Sequence, residues 1–365
     1  MLKFMSLISS LLALFSCAKG GAWKDLDVDA FADAAAQKGA VALDVRTPEE
    51  YAAGHLAGAV NINWFADGFL AQVEAAFPKE TPLAVYCRSG RRSAAAAERL
   101  TKAGYTCVCN LLGGYLAWTE AGKAVSRYET EIFLTPGGLP VEITLIKHGT
   151  LAIRYVGHWI HVDPVSGHGK PTDYSSEFPK ADLILITHEH GDHLDPEALK
   201  ALTGEKTRLL ANATSAGKLS GVEGVPAPEV MANGDKRIIV FEERPESSVQ
   251  PGDVIVEAVP AYNTTPGREK FHPKGNGNGY VLTLDGLRIY IAGDTEDIPE
   301  MAELKDIDIA FLPCNQPYTM TPDQCVRAAE AFRPKVLIPY HFGETDITAL
   351  PDRLPGMKVL LRQMQ

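Results

Sequence analysis

The sequence predicts an α/β protein of two domains in series, a parallel-sheet unit followed by a larger mixed one. Three observations predict it. The chain has 365 residues, more than one ordinary core accommodates. From about residue 22 to 126, short apolar strands alternate with helical segments, the pattern of a parallel sheet covered on both faces. Around 126–140 the pattern turns strand-rich, and helices recur only between some of the later strands. Hydrophobic residues at 45% and charged residues at 22% are those of an ordinary globular chain rather than a disordered one. A net charge of -11 speaks against a nucleic-acid partner, because phosphate binding needs a basic surface.

The amino end comes first. Lys3 precedes an apolar run over 4–15, too short for a bilayer span of ~20 residues but suited to the apolar part of a signal peptide. The run closes on Leu14-Phe15-Ser16-Cys17, which resembles a bacterial lipobox. Residues 1–20 are therefore read as an export segment. The implied location is the periplasm, with membrane attachment through a lipidated Cys17.

The first domain is assigned to 21–126. A short strand at 41–45 leads to Thr47-Pro48-Glu49-Glu50, which has helix-start chemistry: a capping threonine, proline at the first helical position and acidic residues after it. A buried strand at 83–86 hands over to an alanine-rich helix at 92–103. A further strand at 108–111 precedes Gly113-Gly114, which opens a helix carrying Trp118. Between strand and helix lies Cys87-Arg88-Ser89-Gly90-Arg91-Arg92-Ser93. Backbone N–H groups at a helix start, with the positive end of its dipole, stabilise a thiolate and cradle an anion. Arg88, Arg91 and Arg92 add charge that draws an anionic substrate to the Cys87 nucleophile.

Cysteine phosphatases need an arginine six residues beyond the cysteine; here that residue is Ser93, and the smaller cradle suits sulfur better than phosphate. With Asp44-Val45-Arg46-Thr47-Pro48-Glu49-Glu50-Tyr51, Gly54-His55, Gly58-Ala59 and Asn110-Leu111-Leu112-Gly113-Gly114, the segment resembles a single-domain rhodanese over about 100 residues. The resemblance implies that Cys87 carries a persulfide, that the amides of residues 88 to 92 stabilise it, and that Arg92 helps hold the sulfur donor. It implies structural roles for Asp44 and Arg46.

The second domain is assigned to 127–365. Strands are expected at 141–147, 151–156, 159–162, 183–186, 254–259, 280–284, 287–292, 309–312 and 336–338, with helices at 196–202 and 322–331. Thr187-His188-Glu189-His190-Gly191-Asp192-His193 follows directly on one of these strands. Gly191 is expected to let the chain turn so that the flanking side chains converge. Imidazole and carboxylate suit zinc, manganese and iron, and further candidates stand at other strand ends, Asp294 after 287–292 and His341 after 336–340.

The His-x-His-x-Asp-His pattern with the later Gly293-Asp294-Thr295 and His341 looks like the metallo-β-lactamase fold, an αββα sandwich. The segments His148-Gly149-Thr150, Val162-Asp163-Pro164, Pro260-Ala261-Tyr262-Asn263 and Pro317-Tyr318-Thr319-Met320 resemble its ascorbate-phosphate-lactonase-like branch. By that likeness one ion takes His188 and His190, a second takes Asp192, His193 and His341, and Asp294 bridges. Where the superfamily supplies another histidine stands Asn263, and the nearest histidine is His272. Either His272 swings in, or one position is poorer in ligands. His148 is expected to line the pocket as a substrate contact, while His158, His161 and His168 fall in what reads as an exposed hairpin and receive no role.

Six thinly spread cysteines, with no framework spacing, argue against a disulfide scaffold. Cys314 and Cys325 read as buried small hydrophobes. The combined expectation is a bifunctional enzyme with one or two divalent ions, zinc first and manganese or iron as alternatives. It would act on a small ester, lactone or phosphoester, with Asp192 or Asp294 relaying protons. Its partners are a small-molecule substrate and a sulfur donor or acceptor. Two other readings stay open: an iron-dependent persulfide dioxygenase, and a metal hydrolase whose first domain is a non-catalytic adaptor.

Overall fold

The computed structural model describes residues 23–37, 39–241 and 249–364. The export segment at 1–20, with Cys17, lies outside the described residues. In sequence order the first elements are β1 (Lys24–Leu26), α1 (Val28–Ala35), β2 (Val41–Asp44), α2 (Pro48–Ala52), β3 (Val60–Asn61), α3 (Phe69–Ala76), β4 (Leu83–Tyr86), α4 (Arg91–Lys102), β5 (Val108–Leu111) and α5 (Gly114–Glu120). The strands form one parallel sheet in the order β1-β5-β4-β2-β3.

Strand periodicity divides this core in two. Val41, Leu43, Leu83 and Val85 face a cluster closed by Phe69, Val73 and Phe77, with Ala96, Ala97 and Leu100 of α4. Ala42, Ala84 and Tyr86 point the other way, onto Phe31 and Ala34 of α1, with Tyr115 and Trp118 of α5 packed against them. Alternate residues of a strand face opposite sides, so both faces must be apolar in a sheet buried between helices. Helix α2 starts as its sequence demands: Glu50 N–H donates to the Thr47 hydroxyl, Thr47 N–H donates to the Glu50 carboxylate, and Pro48 takes the first turn.

The chain continues with β6 (Glu129–Leu134), β7 (Pro140–Lys147), β8 (Thr150–Tyr155), β9 (His158–Val162), α6 (Tyr174–Glu177), β10 (Leu183–Ile186), α7 (Pro196–Leu202), β11 (Arg208–Ala211), α8 (Ala213–Leu219) and β12 (Glu229–Val230). Then come β13 (Lys236–Ile239), β14 (Val254–Ala261), β15 (Gly277–Leu284), β16 (Leu287–Ile291), β17 (Ile309–Pro313), α9 (Pro322–Phe332), β18 (Val336–Tyr340), α10 (Leu350–Arg353) and β19 (Lys358–Val359). Two sheets result, ordered β12-β11-β10-β9-β8-β7-β6 and β13-β14-β15-β16-β17-β18-β19. The Tyr280 hydroxyl on β15 donates to the Ile186 carbonyl on β10, and Asn278 N–H donates to Thr187 O, tying the two sheets where the histidine motif begins. Helix α9 covers the second sheet with Cys325, Val326, Ala328 and Ala329, and Cys314 and Cys325 lie fully buried as expected. This is the αββα sandwich.

Close packing divides the chain into two units. One comprises residues up to Leu134 with Gly138–Ile143 and Arg154–Gly157; the other comprises Thr135–Gly137, Thr144–Ile153 and residues from His158 onward. No described helix is long and apolar enough to cross a membrane.

One expectation fails here. His161 does not sit in an exposed hairpin: it is 0% exposed on β9, packed by Trp159, Tyr174 and Phe178. Burial pushes its imidazole down to about 3, so it behaves as a neutral aromatic filler.

Candidate functional site

In the first unit β4 ends at Tyr86 and α4 begins at Arg91, and the cysteine loop is the connection. Cys87 is 1% exposed. Burial alone would raise its thiol. The Ser93 hydroxyl, which donates to Sγ at 3.3 Å, and the N–H groups of Ser93, Ser89 and Arg92 outweigh it and hold the thiol below its ordinary value. Cys109, buried without such donors, is pushed up to about 12. The loop is shaped from behind by α5, where Tyr115 N–H donates to Cys87 O and Leu116 N–H to Arg88 O. A Cβ on Gly114, at φ +60°, would stand 2.4 Å from Cys87 O, so only glycine permits this approach.

The arginines divide. Arg88 and Arg91 are exposed. The Arg92 guanidinium donates to both Glu50 oxygens, at 2.7 and 2.8 Å, and lies 5.6 Å from the exposed ring of Phe65. Glu50, the capping residue of α2, thus fixes Arg92, while Arg88 and Arg91 stay exposed. Asp44 and Arg46 form a buried pair at 2.6 Å, with Arg46 also donating to Gly54 O and lying over the Tyr115 ring. That is a structural arrangement.

In the second unit, the turns after β7, β10, β16 and β18 bring His148, the 188–193 motif, Asp294 and His341 together. His188 Nε2 lies 3.0 Å from His190 Nδ1. His272 Nε2 is 3.2 Å from Asp294 Oδ2, and His193 and His341 Nε2 each stand 3.3 Å from Asp294 Oδ1. His148 Nε2 is 3.2 Å from Asp192 Oδ2. The donors fall into overlapping groups: His188, His190 and His272; His188, His193 and Asp294; and His148, Asp192, His193 and His341. The structure thus brings His272 to the cluster. Asn263 sits behind it, its Oδ1 3.2 Å from His272 Nδ1 and its amide nitrogen donating to Tyr318 O, so that Nε2 of His272 faces inward.

The chemistry of these donors fits a divalent ion. His193 Nε2, His272 Nε2, His341 Nε2 and Asp294 Oδ1 are buried with no hydrogen-bond partner among the described residues, which is costly unless something charged satisfies them. Burial opposes a proton on His193. The carboxylates of Asp294 and Asp163 overcome that and hold its imidazole well above the ordinary range, so the site already favours positive charge at this point.

In sequence Asp163 stands out only as part of Val162-Asp163-Pro164. Its carboxylate lies 2.7 Å from His193 Nδ1 and accepts the Thr187 hydroxyl and N–H, which orients His193 Nε2 toward the cluster. The detectable signal was an aspartate closing an apolar strand. Asp163, His148 and His341 are three of seven non-glycine residues with positive φ among those described, at +46°, +44° and +47°. Such strain gathers at functional sites. Gly191 is not among the positive-φ glycines, and a Cβ there would meet nothing. The motif converges through the turn that follows β10, not through left-handed backbone at Gly191. Gly293 is the residue the approach requires: at φ +64°, its Cβ would stand 2.9 Å from Asn278 O.

The cluster opens into a cavity of about 760 Å³, whose walls include Lys147, His168, Asn315 and the edge-to-face pair Phe271 and Tyr318. This is the size of a small-molecule pocket. His168, given no role from sequence, is exposed at this wall with its ring 4.2 Å from that of His148.

Comparison with known proteins adds the following. The β-lactamase superfamily domain profile matches residues 158–342, and the rhodanese-like domain profile matches 27–121. A UPF0173 metal-dependent hydrolase of Bacillus pumilus (strain SAFR-032) is 30% identical over 224 residues, covering 59% of this chain and 94% of the relative. Another, of Pyrococcus furiosus, is 31% identical over 211 residues, covering 56% and 85%. A crystal structure from Parabacteroides distasonis ATCC 8503, assigned as a metal-dependent hydrolase, shares 52% identity at a TM-score of 0.58, over 65% of this chain and all of that one.

Proposed function

We propose, for a chain that belongs to the β-lactamase superfamily of metal-dependent hydrolases and carries a rhodanese-like domain ahead of it, that it is bifunctional. It hydrolyses a small ester, lactone or phosphoester at the histidine cluster and transfers sulfane sulfur at Cys87. The observation that carries the hydrolase reading is the gathering of buried imidazole nitrogens with no hydrogen-bond partner among the described residues, His193 Nε2, His272 Nε2 and His341 Nε2, around the two oxygens of Asp294 beside a cavity. When bound there, a divalent ion supplies a Lewis acid that polarises the scissile carbonyl or phosphoryl group and acidifies water. The residues that would hold it include His188, His190, His272, Asp192, His193, His341 and Asp294. Asp192, more accessible to the cavity than Asp294, is placed to take the water's proton. Phe271 and Tyr318 offer the substrate an apolar wall.

For the sulfur half, the lowered thiol of Cys87 inside a ring of N–H donors supports a persulfide. The thiolate attacks the outer sulfur of thiosulfate; the S–S bond breaks and sulfite leaves with the electron pair. Cyanide then takes the sulfur as thiocyanate, and the thiolate returns. Arg88 and Arg91 draw the anionic donor in, while Arg92, held by Glu50, keeps the loop's shape. The Leu14–Cys17 motif supports export and lipid anchoring, tested by labelling with a radioactive fatty acid in wild type and Cys17→Ala.

A reciprocal pair of variants tests both halves. Cys87→Ser should abolish thiosulfate:cyanide activity and leave ester, lactone or phosphodiester hydrolysis intact, and Asp294→Ala should do the reverse. Sulfur transfer that survives Cys87→Ser sinks the sulfurtransferase, and hydrolysis that survives Asp294→Ala sinks the metal-site assignment.

A further inference from the structure

We propose that His148, on the turn between β7 and β8, is itself a ligand, so that the second cation position collects five protein donors where the first collects four. The assignment rests on the metal reading above. The first position is framed by His188, His190 and His272 with an oxygen of Asp294; the second by Asp192, His193 and His341 with the other oxygen of Asp294, and by His148.

Distances carry the case. Around one oxygen, Asp192 Oδ2, stand the Nε2 atoms of His148 at 3.2 Å, His341 at 3.6 Å and His193 at 3.8 Å. Donors bonded to a common ion at ~2.0–2.1 Å in tetrahedral array are about 3.3 Å apart. His148 therefore stands at donor spacing, as the recognised candidates do.

A hydrogen bond to Asp192 would explain one contact but not the rest. His148 is held in left-handed backbone at φ +44°, a conformation disfavoured for a side-chain-bearing residue. It is pinned from both sides: its N–H donates to Met364 O at 2.8 Å, and its carbonyl accepts from His341 N–H at 3.0 Å. Its ring packs against that of His341, centroids 3.6 Å apart, which holds the imidazole at the edge of the cluster. The next residue must be glycine, because a Cβ on Gly149 would meet His193 Cε1 at 2.7 Å. The whole turn presses into the donor cluster.

The two positions are then unequal. A four-donor, imidazole-rich position suits zinc, while five donors including two carboxylates suit an ion of higher coordination, such as manganese or iron.

Cobalt(II) titration of the full chain, read by visible absorption and by competition with a chelator, tests this. Wild type should take two equivalents. His148→Ala and His148→Gln should both weaken one equivalent by at least about tenfold, change its absorption, and leave the other equivalent unaltered, which also reports that the variants are folded. The glutamine amide can still donate to Asp192 but is a poor ligand. Wild-type affinity and absorption for both equivalents in His148→Gln would overturn the assignment, reducing His148 to a hydrogen-bond donor. Absence of cobalt uptake by wild type would overturn the metal reading itself, and this inference with it.

Discussion

Cys87, just past the end of β4, and Cys109, on the neighbouring β5, differ because of what surrounds them. Cys109 is simply buried and pushed up to about 12, whereas Cys87 is buried among donors and lowered. Alkylation of Cys87 by iodoacetamide should therefore reach half its maximal rate at a pH below the ordinary thiol value of ~8.5, and Ser93→Ala should move that midpoint upward. An unchanged midpoint in the variant would remove Ser93 from the account. The cysteine loop was legible in the sequence because cysteine and arginines sit at a strand-to-helix handover; Ser93 was visible only as the absence of a phosphatase arginine. Asp163 shows the same limit. Its effect depends on reaching His193, thirty residues further along the chain, and no local pattern encodes that meeting. Asp163→Asn should loosen metal binding by roughly 10–100-fold, as loss of a partner behind a ligand does, measured by chelator competition.

At the level of elements, the contacts that matter are made where one element ends against another. Gly114 opens α5 against the cysteine loop, so Gly114→Ala should slow Cys87 alkylation and lower the melting temperature by several degrees, since a Cβ 2.4 Å from a carbonyl oxygen forces backbone movement. Retained reactivity and stability would show that the loop is shaped otherwise. His55, between α2 and β3, gives a pH signature. Burial chiefly, with the Arg46 charge, lowers its imidazole to about 4 against the hydrogen bonds that would raise it. A folded value below the unfolded ~6.5 means that stability is fully present above pH ~6.5 and is lost as pH falls toward 4, by on the order of 3 kcal/mol. Chemical denaturation from pH 7 to 4 should show a steeper loss for wild type than for His55→Gln, and equal slopes would contradict the assignment. Helix starts with proline and capping side chains, at α2, α7 and α9, were readable because they are local chemistry. The short strands β3, β12 and β19, two residues each, were not, since neither periodicity nor composition marks so small a piece.

At the scale of the molecule, the sequence carried the order of the two α/β folds because each has a local motif at a strand end. It did not carry the division of close packing, in which Gly138–Ile143 and Arg154–Gly157 group with the earlier residues; that grouping is non-local. The same holds for His272. Its motif signal was weak and Asn263 occupied the expected place, yet folding sets Asn263 behind His272 and turns the imidazole toward Asp294. Metal content of the chain, purified without added ions and quantified by inductively coupled plasma mass spectrometry, tests the centre most directly. Between one and two equivalents of a divalent transition metal per chain, falling sharply in His188→Ala, is the expected result. A chain that is metal-free as isolated and that takes up neither zinc, manganese nor iron on reconstitution would contradict it.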